Sequence, residues 1–325
     1  MSFAHVLGQA PALQTLERAL TGGRVHHAYR FTGPDGVGKE LAALALARAL
    51  VCEAEDPLGC ERCSACQRAL TFASEPPQVP LHPDVVLVER GLYPANLLGI
   101  SGTEATGISV EQIRRVVLTR VGYRPHEGRA LVFIVRDADL LTTSAANSLL
   151  KTLEEPPPRT HFVLLTSREN RLLDTIRSRT LPVRFGPLPD DVIATLLRAR
   201  GLDPEAARLA QGSARRALEL ADPERVEARA AMLAAVQAAL DAPDITAALD
   251  FAQKRPEDRH ALSAQLGELA LHLAERARQS IARDPDAAER IARQHELVLS
   301  AMSRVERNVQ AALVLESMLL EMRSV

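Results

Sequence analysis

Tryptophan is absent from this 325-residue chain, and Phe, Trp and Tyr together make up 3% of it. Lysine is nearly absent too: Lys39, Lys151 and Lys254 stand alone, and every other basic side chain that stays charged at neutral pH is Arg. Net charge is small, −2 from 39 basic and 41 acidic residues, so no whole-molecule field draws nucleic acid and any such contact must come from a local patch. No apolar run is long enough to cross a bilayer, and "MSFAHVLGQ" lacks the basic-then-apolar pattern of a signal peptide. These absences lead us to expect a soluble cytoplasmic protein with no membrane partner. Cysteine is confined to one place, with all four residues between positions 52 and 66.

What is present is ample apolar material, 46% of residues, over a length that suits two or three domains. Short runs rich in Val, Ile and Leu alternate with helix-like segments. Strands are predicted over 27–33, 84–89, 130–137, 161–167 and 181–186. Near-continuous apolar runs of this kind suit strands buried on both faces, so a doubly wound parallel α/β domain is expected over 1–186. "PLPDD" (187–191) then punctuates the chain, and no strand pattern follows it. Short helices are expected over 187–221, and Ala-, Leu- and Arg-rich helices over 222–325. A final helix is predicted to bury Val305, Val309, Ala312, Leu313, Leu319 and Met322 on one stripe.

"GPDGVGKE" (33–40) places Gly33, Gly36, Gly38 and Lys39 in the spacing of a phosphate-binding loop, between a predicted strand and a predicted helix. Glycines there let backbone N–H groups face an anion at a helix N-terminus. The hydroxyl that normally follows the lysine and ligates Mg²⁺ is replaced by Glu40. After the strand at 131–135, where such sites carry a metal-holding acid, the chain has Arg136 followed by Asp137. Two metal-site positions have therefore changed, one to an anion and one to a cation, and Glu40 and Arg136 are expected to pair where the ion would sit.

Cys52, Cys60, Cys63 and Cys66 form a C-x7-C-x2-C-x2-C cluster. The ligand type and the compartment favour a closed, structural Cys₄ zinc site. Disulfides fit poorly with a chain lacking an export signal, and the spacing itself leaves an iron–sulfur cluster open.

Four features together, "GRVHHAYRFTGPDGVGKE", the Cys insertion straight after the loop helix, "NSLLKTLEEPP" (147–157) and "LLDTIRSRT" (172–180), make the chain similar to the bacterial DNA polymerase III clamp loader subunits, which are AAA+ proteins. "ISVEQIRRV" (108–116) and "GSARRAL" (212–218) also fit. The resemblance implies a AAA+ domain over 1–186 with its zinc module at 52–66, a helical lid over 187–221 and an oligomerising collar over 222–325. It implies gamma/tau and delta subunits, the sliding clamp and primer–template DNA as partners. Within the family, Glu40 and Arg136 point to a delta-prime-like stator rather than a gamma/tau-like ATPase motor. Arg179 would then be an arginine finger acting on a neighbour's ATP, Thr166 the polar residue that senses phosphate, and Arg215 the lid arginine. Thr180 departs from the family's cysteine. ATP or ADP binding by the chain's own loop is expected to be weak or lost, and Mg²⁺ is not expected there.

Competing readings are an active ATPase, an unrelated phosphate-loop kinase with a zinc-bearing lid, and a zinc module gripping nucleic acid. The kinase leaves "NSLLKTLEEPP" and the helical C-terminal third unexplained. The nucleic-acid module lacks basic and aromatic residues around Cys52–Cys66. Lys151, Glu154 and Glu155 fit a solvated helix end before Pro156 equally well, Arg216 beside Arg215 shows how Arg-rich that segment is, and Arg114, Arg115 and Arg120 fit a solvated face. His26 and His27 are read as structural.

Overall fold

A computed structural model describes residues 3–54, 56–99, 107–127, 129–253, 259–307 and 309–325. It divides into two compact units, Met1–Leu218 and Glu219–Val325. Lys254 lies outside the described residues.

All five predicted strands are present: β1 (Ala28–Thr32), β2 (Val85–Val88), β3 (Leu131–Val135), β4 (Thr160–Thr166) and β5 (Leu181–Arg184). Every pairing is parallel and the order is β2-β3-β4-β1-β5. In a parallel sheet every strand has the same direction, so the segments following the strands share one edge and the segments preceding them share the other. That division separates the candidate sites below. β1 and β3 are buried along their whole length, β3 as an unbroken apolar run and β1 with Arg30 inside it. Edge strand β5 is instead mostly exposed and carries Pro182, a residue that cannot donate to a further strand.

Helices α1 (Ala10–Thr21), α2 (Lys39–Val51), α3 (Ser64–Leu70), α4 (110–121, with a π-helical middle) and α5 (Thr143–Glu154) complete the layers. α2 is Ala- and Leu-rich on every side and buried over almost all of its length, packing on β3 and β4. Across the sheet, Ile113, Val117, Ala145 and Leu149 meet Val86, Val135, Leu164 and the stacked rings of Phe133 and Phe162, whose centroids are 5.0 Å apart. Thr142 starts α5 by accepting a hydrogen bond from the Ala145 N–H at 3.2 Å.

After β5 come α6 (Asp190–Arg198), the turn Ala206–Leu209 and α7 (Ala214–Ala221). Backbone bonds from Leu188 N–H to Gly212 O and from Ala214 N–H to Gly36 O tie this segment to the loop after β1.

The second unit holds α8 (Pro223–Asp241), α9 (Thr246–Gln253), α10 (Arg259–Ser280), α11 (Pro285–Glu306) and α12 (Ala311–Arg323). Its core joins Leu262, Leu266 and Leu273 to Val298, Val305, Val314 and Leu319. Arg323 donates to Ala239, Ala242 and Asp244 carbonyls, satisfying acceptors at the end of α8. The expected stripe of the last helix needs correction. Val305 belongs to α11, Val309 lies before α12, and Leu313 is 53% exposed. α11 ends at Glu306 and α12 begins at Ala311, so the helical phase restarts there and buries Val314, Leu315, Met318, Leu319 and Met322. No helix among the described residues is long and apolar enough to cross a membrane.

Candidate functional site

The loop after β1 carries left-handed or otherwise positive φ at Gly36 (73°) and Gly38 (99°), a conformation for which glycine is suited. At Gly36 a Cβ would also lie 2.3 Å from Ser213 Oγ and 2.6 Å from Arg215 Cβ. Gly36 is therefore required by the closeness of the following helical segment as well as by any anion. Lys39, the first residue of α2, is 8% exposed and turns back on its own loop, donating to the Gly33 and Pro34 carbonyls at 2.6 Å each. Asp35 stands 3.6 Å from its ammonium. Burial pulls the Lys39 pKa below its ordinary value and Asp35 opposes that shift.

Glu40 and Arg136 are paired. Arg136 Nη2 donates to Glu40 Oε1, and Arg136 Nη1 donates to Glu89 Oε2 at 2.6 Å. The register explains the third member: Val88 pairs with Val135, so the residues after β2 and β3 emerge side by side. The two carboxylates hold Arg136 firmly protonated. Asp137 follows at φ 45°, with its pKa raised first by partial burial and then by Asp35, Asp139 and Glu89.

Thr166 ends β4 beside the loop, where its carbonyl accepts from Gly33 N–H at 3.3 Å. Its hydroxyl donates to Asp139 Oδ1 at 2.7 Å and accepts from Arg168 N–H at 3.0 Å. Arg215 is exposed at the start of α7, over Gly36, and its charge acts on Lys39 and Asp137. The structure thus brings Gly33, Gly36, Gly38, Lys39, Glu40, Arg136, Thr166 and Arg215 to one edge of the sheet.

Arg179 is at the other edge. It precedes β5, and the register Tyr29↔Leu181 sets it level with the residues before β1. The five-residue β1 separates it from the chain's own loop by roughly 15 Å of strand. Its guanidinium donates from Nε to Glu154 Oε1 at 2.7 Å and from Nη1 to Thr175 O at 2.9 Å and Ser178 Oγ at 3.1 Å, and Nη2 also contacts Glu154. His26, His27, Leu153 and Leu181 line the same open groove. Thr180 is buried, and its hydroxyl accepts from Arg30 Nη1 at 2.7 Å while donating to Ile176 O at 2.9 Å. Arg30, 5% exposed within β1, also donates to Arg177 O and pairs with Glu169 at 2.8 Å. Sequence reasoning missed Arg30 and Glu89. The signal for Arg30 was a charge inside an otherwise apolar strand, which demands buried partners.

Cys52 closes α2, Cys66 lies in α3, and Cys60 and Cys63 lie between them. The four sulfur atoms lie within 4.8 Å of one another, with Cys52–Cys63 at 3.9 Å and Cys60–Cys66 at 4.0 Å. A tetrahedral ion with metal–sulfur bonds of about 2.3 Å needs sulfurs roughly 3.8 Å apart, so the set fits one metal ion. All four cysteines are free in this structure. N–H groups of Cys60, Cys63 and Cys66 donate to Cys52, Cys60 and Cys63 sulfur respectively, at 3.3–3.4 Å, the arrangement that favours thiolates. Backbone N–H groups of Cys63 and Arg62 bring the Cys60 thiol down to about 6, whereas burial pushes Cys52 and Cys66 up. Arg48, 1% exposed in α2, braces the loop through Glu61 at 2.8 Å and Leu58 O at 3.0 Å.

Arg114, Arg115 and Arg120 are exposed on α4. Among the other histidine contacts, His27 Nε2 meets Leu153 O at 3.0 Å and His26 stacks on His27.

Comparison with known proteins gives concordant matches. DNA polymerase III subunit gamma/tau of Mycobacterium tuberculosis is 37% identical over 196 residues, covering 60% of this chain and 30% of that protein. DNA polymerase III subunit tau of Escherichia coli is 33% identical over 232 residues, 68% of this chain and 32% of that protein. DNA polymerase III subunit delta′ of Bacillus subtilis is 34% identical over 201 residues, 62% and 54% respectively. The chain thus spans about a third of the gamma/tau relatives and about half of the delta′ relative. A solved gamma subunit-related protein from Thermotoga maritima superposes with a TM-score of 0.48 at 16% identity, over 96% of this chain and 99% of that one. The family profile described as "DNA polymerase III, delta subunit" matches residues 8–189, more than half of the chain, and the protein belongs to this family of DNA polymerase III clamp loader subunits.

Proposed function

We propose that the chain is a delta-prime-like stator of a clamp loader, helping to load a sliding clamp on primer–template DNA, with no ATP hydrolysis of its own. The observation that carries this reading is Arg136, bonded to Glu40 and Glu89 where an ATPase of this class holds Mg²⁺. A guanidinium at that place repels the cation, and the side chain that would donate a hydroxyl to the metal is the carboxylate that neutralises the guanidinium. Lys39 is meanwhile spent on loop carbonyls, and α7 lies against Gly36. The loop then acts as a fixed link between a AAA+ sheet domain (1–186) and its lid (187–221), with 222–325 as the collar that joins the chain to gamma/tau and delta subunits.

Arg179 is the chain's link to catalysis. It lies at the opposite sheet edge from the loop, so the phosphate it serves belongs to a neighbour. There its charge would stabilise the negative charge that develops on the transferring phosphoryl group. Thr166 and Arg215 have structural duties here, with Asp139 and over Gly36. The metal fitting the four cysteines is zinc, on ligand softness and tetrahedral geometry. It would supply no chemistry and would fix the 52–66 loop against α2.

A second reading, an ATP-hydrolysing motor, is favoured by the gamma/tau relatives and by the intact Gly33, Gly36, Gly38 and Lys39. The two part on one experiment. The isolated chain is titrated with a fluorescent ATP analogue, with and without Mg²⁺, and the complex reconstituted with gamma/tau and delta subunits is assayed for ATPase. The stator reading expects no Mg²⁺-dependent binding by the isolated chain, and a loss of ATPase in the complex on Arg179→Ala. Tight Mg²⁺-dependent binding by the isolated chain would put the motor reading first.

A further inference from the structure

We infer that Glu154 is a positioning residue that holds Arg179 in a withdrawn state and competes with the neighbour's phosphate for its guanidinium. The inference rests on the finger reading of Arg179 and adds a second residue to it. In this chain all three guanidinium nitrogens are occupied. Nε and Nη2 go to one oxygen of Glu154, and Nη1 goes to Thr175 O and Ser178 Oγ. A phosphate oxygen can take Nε and Nη2 only by displacing Glu154.

The pair is not a chance meeting of two mobile surface chains, because each partner stands on a rigid support rooted in the same stretch of chain. Glu154 is the last residue of α5, and the carbonyl just before it, Leu153 O, is held by His27 Nε2 at 3.0 Å. The turn bearing Arg179 is held from beneath by buried Arg30, through Arg177 O at 2.8 Å and Thr180 Oγ1 at 2.7 Å. His27 and Arg30 flank the start of β1. With both backbones fixed, side-chain torsions alone move Arg179 from the carboxylate to an incoming phosphate. Helix position adds a reason for the contact, since a carboxylate at a helix C-terminus faces the negative end of the helix dipole and gains from a cation. The Glu154 side chain is 47% exposed and that of Arg179 30%, so the pair is weak enough to be displaced by a more highly charged phosphate.

The test is steady-state ATPase of the reconstituted complex carrying Glu154→Gln, Glu154→Asp, Arg179→Ala or Glu154→Gln with Arg179→Ala. Glu154→Gln is expected to raise kcat roughly threefold with KM unchanged, the fold-change that an exposed ion pair supports. Glu154→Asp should stay near the natural rate, and the double variant should match Arg179→Ala alone, because Glu154 acts only through that arginine. If Arg179→Ala lowers the rate while Glu154→Gln changes nothing, the competition is refuted and the finger reading survives. A fall in rate with Glu154→Gln also refutes it, since Glu154 would then present the arginine rather than withdraw it. No effect of Arg179→Ala removes both readings together.

Discussion

Arg136 and Glu40 lie 96 positions apart in the chain and are joined by a direct hydrogen-bonded ion pair, with Glu89 on the other guanidinium nitrogen. The start of α2 and the segments that follow β2 and β3 thus meet through one cation. The charges are coherent: one guanidinium bridges two carboxylates, and without Arg136 both Glu40 and Glu89 would lose the cation they share.

Removing that charge leaves two carboxylates facing each other. The three side chains are 23–32% exposed, so the cost falls below that of breaking a fully buried pair. Arg136→Leu is expected to destabilise the chain by about 1–2 kcal/mol in urea unfolding. On the stator reading, Glu40→Thr with Arg136→Asp should raise the loop's Mg²⁺-dependent affinity for a fluorescent ATP analogue above that of the natural chain. An unchanged titration in the double variant would mean that the metal site is not what limits nucleotide binding.

The Arg30–Thr180 contact makes a separate prediction. Thr180→Val keeps the side-chain volume but removes the acceptor from a guanidinium that is 5% exposed. Arg30 retains Glu169 and the Arg177 carbonyl, so the loss is expected at about 1–2 kcal/mol rather than the larger cost of a stranded charge. Equal stability of Thr180→Val and the natural chain would show that the hydroxyl is dispensable to the turn that carries Arg179.

How far these contacts were legible in the sequence differs by type. Four of the strands could be read because each is a short, largely apolar run buried on both faces, as β1 to β4 are, whereas β5 is mostly exposed and was marked by its place between the turn before it and "PLPDD" after it. The Glu40–Arg136 pair could be read because two changes at separately recognisable metal positions had opposite charge. Glu89 could not be assigned, since it becomes a neighbour of Arg136 only through the β2–β3 register, which strand order decides. The same holds for Glu154 and Arg179: each lies in a recognisable motif, but only folding brings the end of α5 beside the turn before β5. In the last helix, periodicity misled because Val305 belongs to α11 and Leu313 to α12, whose helical phase starts afresh at Ala311.

Acid sensitivity follows from four histidines. Burial is the main cause that holds His26, His82, His161 and His272 below the ordinary 6.5 in the folded chain. Their folded values lie under their unfolded ones, so as pH falls through 6.5 the unfolded chain takes up protons first. Stability from these groups is therefore complete above 6.5 and declines as pH falls toward the folded values, by up to about 1.4 kcal/mol for each unit of separation. Thermal melts should drop between pH 7 and pH 5. In His161→Asn the amide can still donate to His26 O, as Nδ1 does now, and the acid slope should be shallower than in the natural chain. Parallel slopes would remove His161 from the account.

Metal removal tests the cysteine cluster. One zinc per chain is expected by elemental analysis, because the four sulfurs fit one tetrahedral ion and a multi-iron cluster would need them wider apart. Folding of the sheet is expected not to wait on the metal, because α2 is buried over almost all of its length and packs on β3 and β4, with Cys52 at its end. The loop between α2 and α3 is different, since among the described residues its side-chain anchors to the rest of the fold are Arg48, with Glu61 and Leu58 O, and Arg129, with Ala54 O. Chelation should therefore lower the melting temperature and open amide exchange over 53–66, while leaving protection in β1, β3 and β4 intact. Cys66→Ser should reproduce the effect without chelator. Visible absorbance bands in the purified chain would assign iron instead, and loss of protection throughout the sheet on chelation would make the metal essential to the whole domain rather than to its insertion.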